Sequence, residues 1–128
     1  MLVYRLEYKN FGPYRAEEYE FLYKLSWYNR MREEHDTSII HPGGFVDFDD
    51  QFEFDNNSRF ACKSIDDIVS WFDEFLFNFA EIGAVIKEYE VIDYAIGKSE
   101  LQLIFDISTA KLIREINIQQ LLEDVTND

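Results

Sequence analysis

The 128-residue chain has little cysteine, proline or glycine, with one, two and five residues of each, and fewer than half as many basic as acidic side chains. A single cysteine excludes a disulfide framework and a cysteine-rich zinc site. No apolar run reaches the roughly 18 residues of a membrane-spanning helix, and charges come too early for a signal peptide. We therefore expect one cytoplasmic domain over residues 1–128.

Apolar material is plentiful, since 47% of the residues are hydrophobic and 17% are aromatic. That content supplies a core, so the chain is expected to fold rather than to form an acidic disordered tail. The formal net charge is −14. Such acidity argues against direct binding to nucleic acid or to an anionic membrane surface.

The charge is concentrated in the middle of the chain. Residues 33–86 hold thirteen acidic side chains against Arg59 and Lys63, whereas residues 1–32 hold six basic and four acidic ones. Placing so many carboxylates on one domain costs stability through self-repulsion. Either a cationic partner offsets that cost or the charge serves solubility, and composition leaves both readings open.

Periodicity predicts an α+β fold. The expected strands are 2–8, 59–63, 84–91 and 101–107, and the expected helices are 16–34 and 64–82. Residues 111–125 fit either one helix or a strand to Ile118 followed by a short helix. We expect a single domain in which a small mixed or antiparallel sheet of about four to five strands carries two main helices. The predicted core is Val3, Leu22, Leu25, Phe60, Ile68, Phe72, Phe75, Leu76, Phe79, Val85, Leu103 and Phe105.

An acidic ladder runs from residue 47 to residue 55, where acids and phenylalanines alternate. On an extended chain, side chains two residues apart lie about 6.6 to 7 Å apart on one face, close to the phosphate spacing of a nucleic acid. A long irregular loop is the alternative, because Asp is uncommon in strands.

The ladder and the outer face of the second predicted helix together form a candidate partner-binding surface that imitates a phosphate backbone. The partner would be a basic host protein, for example a nucleic-acid-binding defence complex, and a merely solvated surface is the alternative. The candidate residues are Asp47, Asp49, Asp50, Glu53, Asp55, Asp66, Asp67, Asp73 and Glu74. The sequence does not define an oligomeric state.

No metal site is expected. The order Asp47-x-Asp49-x-Gln51 lacks the glycine and the twelfth-position glutamate of a calcium-binding loop. His35 and His41 are not spaced as ligands on one helix face, and Cys62 is expected to be a small buried hydrophobe rather than a nucleophile. We find no phosphate-binding loop, dinucleotide fingerprint or nucleophile elbow, and the main hypothesis needs no cofactor.

Three segments resemble the ADP-ribosyltransferase fold. Tyr4-Arg5 lies on a first strand, Phe60 to Asp66 resembles the strand-to-helix serine motif, and Gly97 to Ile104 resembles the glutamate strand. The resemblance implies Arg5, Ser64 and Glu100 as catalytic residues and NAD as the cofactor. Cys62, Lys63 and Lys98 depart from the family motifs, so this alternative includes a degenerate enzyme.

The opening Tyr4-Arg5-Leu6-Glu7, followed by Gly12-Pro13-Tyr14, is similar to small uncharacterised phage and prophage proteins. That resemblance implies a mobile-element origin. The main hypothesis is therefore a phage-encoded, non-enzymatic inhibitor of a host defence protein.

Overall fold

A computed structural model of the protein describes residues 1–14, 20–35, 47–48 and 55–126. Its strands are β1 (Leu2–Glu7), β2 (Ser58–Ala61), β3 (Val85–Glu90), β4 (Tyr94–Ile96), β5 (Leu103–Asp106) and β6 (Lys111–Asn117). Its α-helices are α1 (Ser26–Glu34), α2 (Ile65–Phe72), α3 (Phe75–Glu81) and α4 (Ile118–Thr126). Short 3₁₀ helices cover Glu20–Lys24 and Ile107–Thr109.

The α+β class is confirmed, and in the described ranges the strands form two three-stranded antiparallel sheets rather than one sheet. Sheet 1 has the order β1-β3-β6 and sheet 2 the order β2-β5-β4. An antiparallel bridge joins the two sheets: the Tyr4 N–H donates to the Cys62 carbonyl at 2.8 Å, and the Cys62 N–H donates to the Tyr4 carbonyl at 2.9 Å. Sheet 1 therefore continues into sheet 2 at a corner.

Strands β1 and β3 of sheet 1 are buried on both faces, and their alternating side chains enter two different cores. Leu6 and Ile86 belong to a core with the helices, whereas Val3 and Tyr89 belong to a second core with sheet 2. The fold thus has three layers: helices, sheet 1 and sheet 2. Both faces of β1 therefore pack against other elements, although its sequence alternates between polar and apolar residues.

Both predicted helices are interrupted. Residues 16–19 of the first lie outside the described residues; the rest is a 3₁₀ helix, an extended Leu25 (φ −92°, ψ 121°) and then α1. The second begins as expected, because the Ser64 hydroxyl accepts the Asp67 N–H at 3.0 Å and caps α2. It breaks at Asp73, whose φ is +48°, and α3 starts at Phe75. Because its ψ is −128°, Asp73 lies outside the left-handed helical region, in a positive-φ conformation that glycine adopts far more readily than aspartate.

The tail follows the second alternative, a strand to Asn117 and then α4. Strand β4 was not predicted, because three residues are too short to show a period.

Of the predicted core, Phe60 is 38% exposed, and Leu25 and Val85 are half-buried. The other predicted core residues are buried.

Candidate functional site

Asp47, the first residue of the acidic ladder, is buried rather than exposed. Its relative exposure is 2%, and the adjacent Phe48 is fully buried. Consecutive residues of a strand face opposite sides, so burial of both does not fit an acidic outer face with an aromatic inner face. Asp47 therefore does not belong to a partner-binding surface in this fold.

The Asp47 carboxylate organises the turn at residues 97–100. Oδ1 accepts the Ser99 N–H at 2.7 Å, and Oδ2 accepts the Ser99 hydroxyl at 2.8 Å and the Gln102 side-chain amide at 3.0 Å. A Cβ at Gly97 would collide with this carboxylate, so the close approach requires glycine there. Three hydrogen bonds to an ionised group explain how the fold accommodates a buried acid.

Of the other candidate acids of the ladder, the structure describes only Asp55, and this residue has a local structural role. Asp49, Asp50 and Glu53 lie outside the described residues. Asp55 is exposed, but its Oδ1 accepts the Asn57 N–H at 2.8 Å and so caps a tight turn.

An acidic surface lies instead on α2, α3 and the break between them. Asp66, Asp73, Glu74 and Glu81 are exposed, whereas Asp67 is only half-exposed. The sequence contains no Lys or Arg between Lys63 and Lys87. We call these four exposed acids the acidic helical face. Three of them, Asp66, Asp73 and Glu74, were predicted from the sequence as partner-binding residues, and that role stays a prediction.

Phe77 protrudes from the acidic helical face and is 52% exposed. Residues three and four apart are neighbours on a helix surface, so Glu74 and Glu81 flank Phe77 on α3. The side chains on the inner side of the same helix, Phe75, Leu76 and Phe79, are buried. An exposed aromatic ring between carboxylates is therefore the main apolar feature of this face.

One base lies next to the acidic helical face. The Arg30 guanidinium on α1 is 3.1 Å from the Glu74 carboxylate and 5.1 Å from the centre of the Phe75 ring. The two charged side chains are 54% and 61% exposed, so their ion pair contributes little to stability and leaves Glu74 accessible.

A second polar constellation is buried between the two sheets. Glu7 Oε2 accepts the Tyr89 hydroxyl at 2.7 Å and lies 3.4 Å from Arg5 Nε, and Glu7 Oε1 lies 3.3 Å from Lys87 Nζ. Lys87 also donates to Asn10 Oδ1 at 2.7 Å. We call Arg5, Glu7, Lys87 and Tyr89 the buried ion network. Sequence reasoning missed it, because only the pairing of β1 with β3 brings its members together.

Burial shifts the pKa values of two members of this network, Arg5 and Tyr89. Desolvation lowers the pKa of Arg5, an effect that the nearby Glu7 carboxylate opposes. Desolvation and the hydrogen bond to Glu7 both raise the pKa of Tyr89. Arg5 Nη1 donates to the Phe60 carbonyl at 2.9 Å, and its relative exposure is 9%. The groups are engaged with one another, which is typical of a structural network rather than an open site.

The three residues implied by the ADP-ribosyltransferase resemblance are engaged separately. Arg5 belongs to the buried ion network, Ser64 caps α2, and Glu100 is exposed in a turn with φ +62°. No contact described for these residues joins any two of them.

The remaining candidate nucleophile and ligands are also engaged. Burial raises the pKa of the Cys62 thiol to about 12, so at neutral pH it is an unreactive, protonated group. The His35 ring nitrogen Nδ1 and the Tyr14 hydroxyl share a hydrogen bond of 2.7 Å, and His41 lies outside the described residues. Among the described residues, no three His, Cys, Asp or Glu side chains are grouped as a metal site would need.

Glu88 on β3 links all three strands of sheet 1. Its carboxylate is 3.3 Å from both Arg114 Nε and Nη2, and a hydrogen bond with Tyr4 contributes most to lowering its pKa. A depressed pKa contributes stability above the unfolded value, near pH 4, and that stability is lost as pH falls through the folded value.

We therefore expect the stability difference between wild type and Glu88→Gln to be largest at neutral pH and to shrink below about pH 4. Urea unfolding at several pH values measures it. Tyr4→Phe removes the principal hydrogen bond and should move the loss of stability to higher pH. An unchanged difference between wild type and Glu88→Gln at pH 3 would contradict this assignment.

Residues 1–119 match a protein-family model described as Bacteriophage T4 Y00F protein. No curated protein and no solved structure matches the chain significantly. The predicted resemblance to small uncharacterised phage proteins is thus confirmed, and no ADP-ribosyltransferase is among the matches. In the ranges described by the structure, no helix is long and apolar enough to cross a membrane.

Proposed function

Because the chain belongs to the bacteriophage T4 Y00F protein family, we propose that it is a non-enzymatic acidic protein that blocks a basic surface of a host protein. The host surface is one that normally holds nucleic acid, as in a defence complex. The acidic helical face is the contact surface. The observation that carries the proposal is the pairing of exposed carboxylates with the protruding Phe77 on one helix.

Charge and shape have different roles in such a contact. Rim carboxylates steer a positively charged partner and set the association rate, whereas a buried aromatic anchor contributes most of the affinity. Glu74 and Glu81 flank Phe77 and would pair with Lys or Arg side chains around an apolar pocket. The sequence has no Lys or Arg between Lys63 and Lys87, so α2 and α3 themselves present no base to a cationic partner, and Arg30 on α1 is the base beside this face.

The test starts by capturing the partner from an extract of the bacterial host, identifying it and purifying it. Affinity is then measured for wild type and for the triple variant Asp66→Lys, Asp73→Lys and Glu81→Lys. We expect the triple variant to bind at least about tenfold more weakly, because three attractive charges become repulsive. Wild-type affinity should fall as salt rises, because screening weakens the attraction.

A matched control reverses three exposed acids away from the helices: Glu90→Lys, Asp93→Lys and Glu100→Lys. This variant has the same net charge as the triple variant, so equal losses in both would show only a net-charge effect. Phe77→Ala should weaken binding by about 30-fold if Phe77 is the anchor, which corresponds to roughly 2 kcal/mol. Full affinity in both the triple variant and Phe77→Ala would refute the proposal.

A further inference from the structure

Arg30 on α1 brings a cation to the acidic helical face, where two contacts of different kinds hold it. Its Nη2 donates to Glu74 Oε1 at 3.1 Å, and its guanidinium carbon lies 5.1 Å from the centre of the Phe75 ring. A carboxylate beside an aromatic ring attracts a guanidinium group both by charge and by cation–π interaction. The protein on its own therefore already holds a guanidinium group on this face.

The contacts that hold Arg30 are weak enough to be exchanged. The Arg30 and Glu74 side chains are 54% and 61% exposed. At such exposure, an ion pair or a cation–π contact changes an equilibrium constant by no more than about fivefold. After release, Arg30 has the exposed Glu33 and Glu34 as neighbours three and four residues along α1. A competing cation can thus displace Arg30 at small cost.

We propose that Glu74 and Phe75 form a binding site for an arginine side chain of the partner, and that Arg30 occupies this site until the partner arrives. The proposal rests on the proposed function, in which the acidic helical face is the contact surface, and it adds the class of residue that this face recognises. Phe75 is only 2% exposed with Arg30 in place, so the incoming guanidinium takes the position of Arg30 over the ring.

A site of this composition favours arginine over lysine. A planar guanidinium stacks on an aromatic ring and still presents N–H groups to a carboxylate, whereas the ammonium group of lysine is compact and more strongly hydrated. A surface that acts by charge alone would bind both cations about equally. Discrimination between the two cations is therefore the signature of the site.

Calorimetric titration of the whole protein with hexa-arginine and hexa-lysine peptides tests the proposal without the host partner. Wild type should bind hexa-arginine at least about threefold more tightly than hexa-lysine. Arg30→Gln should bind hexa-arginine about fivefold more tightly than wild type, because the site is vacated and a repulsive charge is removed. Arg30→Lys keeps the charge, so its smaller gain measures release of the guanidinium site alone.

Matched controls separate the site from net charge. Arg32 is on the same helix, 5.1 Å from the centre of the Tyr23 ring, and two residues along a helix point about 200° apart. Arg32→Gln should therefore change hexa-arginine binding by less than about twofold. Glu74→Gln should remove the preference for hexa-arginine, whereas Glu90→Gln, which removes the same charge from a 48% exposed acid, should preserve it.

Equal gains in Arg30→Gln and Arg32→Gln would show only a net-charge effect and would overturn the proposal. So would equal affinity of wild type for the two peptides, or a preference that survives Glu74→Gln.

The purified host partner distinguishes this inference from the proposed function. The triple variant keeps Glu74 and Phe75. If it loses partner binding while Arg30→Gln gains none, the acidic helical face binds the partner without this arginine site, and the inference is wrong. If the peptides behave as expected while the triple variant and Phe77→Ala keep full affinity for the partner, the arginine site stands and the proposed function is wrong.

Discussion

Glu7→Gln is expected to lower the free energy of unfolding by about 3 to 5 kcal/mol, the typical cost of removing one partner from a buried ion pair. The substitution preserves shape but removes the buried negative charge that Arg5 and Lys87 share. It also replaces one of the two accepting oxygens of Glu7, Oε1 or Oε2, by an amide NH₂ group, which donates hydrogen bonds and cannot accept one. Urea denaturation of both proteins at neutral pH measures the loss.

Two further variants separate the charge effect from a general effect of mutation. Glu90→Gln removes a 48% exposed carboxylate that pairs with the N-terminus 3.3 Å away, and it should change stability by less than about 1 kcal/mol. Combining Glu7→Gln with Lys87→Met should recover part of the loss, because one unpaired buried cation is removed. If Glu7→Gln costs no more than Glu90→Gln, the network has no structural role.

Asp47→Ala is expected to destabilise the protein by about 2 to 4 kcal/mol, since it removes three hydrogen bonds to an ionised group. The Gln102 amide, which is 8% exposed, then loses the carboxylate as its acceptor. Ser99 is exposed and can turn to water, which keeps the cost below three full hydrogen bonds. Thermal or urea unfolding measures the change.

Gly97→Ala provides a second route to the same contact, because the new methyl group would displace the Asp47 carboxylate. Each single variant should be destabilised, but the double variant should be little worse than Asp47→Ala alone, since the colliding group is already gone. Strict additivity in this double-mutant cycle would show that Asp47 and Gly97 act independently.

Local patterns in the sequence were sufficient for most of the elements. Strand β1, the cap at Ser64 and the start of α2 follow from alternation and from capping chemistry, which act over a few residues. The break at Asp73 was not visible in the sequence, because the residue with positive φ there is an aspartate and not the glycine that usually marks such a position. Strand β4 was missed because three residues cannot show a period.

The candidate sites could not be predicted from the sequence, because they depend on contacts between segments that are far apart along the chain. Arg5 and Glu7 are two residues apart on β1, yet their burial depends on Lys87, about 80 residues later in the chain. Asp47 alternates with phenylalanines, which suggested an exposed acid, but the turn at residues 97–100 encloses it. Phe77 was assigned no role, because exposure of one aromatic residue on a helix depends on how that helix is oriented.

The position of β1 in sheet 1 has a consequence for how the chain reaches its native state. Leu2 pairs with Glu90, and β3 in turn pairs with β6 as far as Asn117. During synthesis, β1 emerges first but has no strand to pair with until most of the chain has been made, on the order of several seconds later. Such non-local pairing slows folding. Fragments that stop before β3 therefore expose the apolar side of α3 and the edges of β1, which makes truncated chains prone to aggregation.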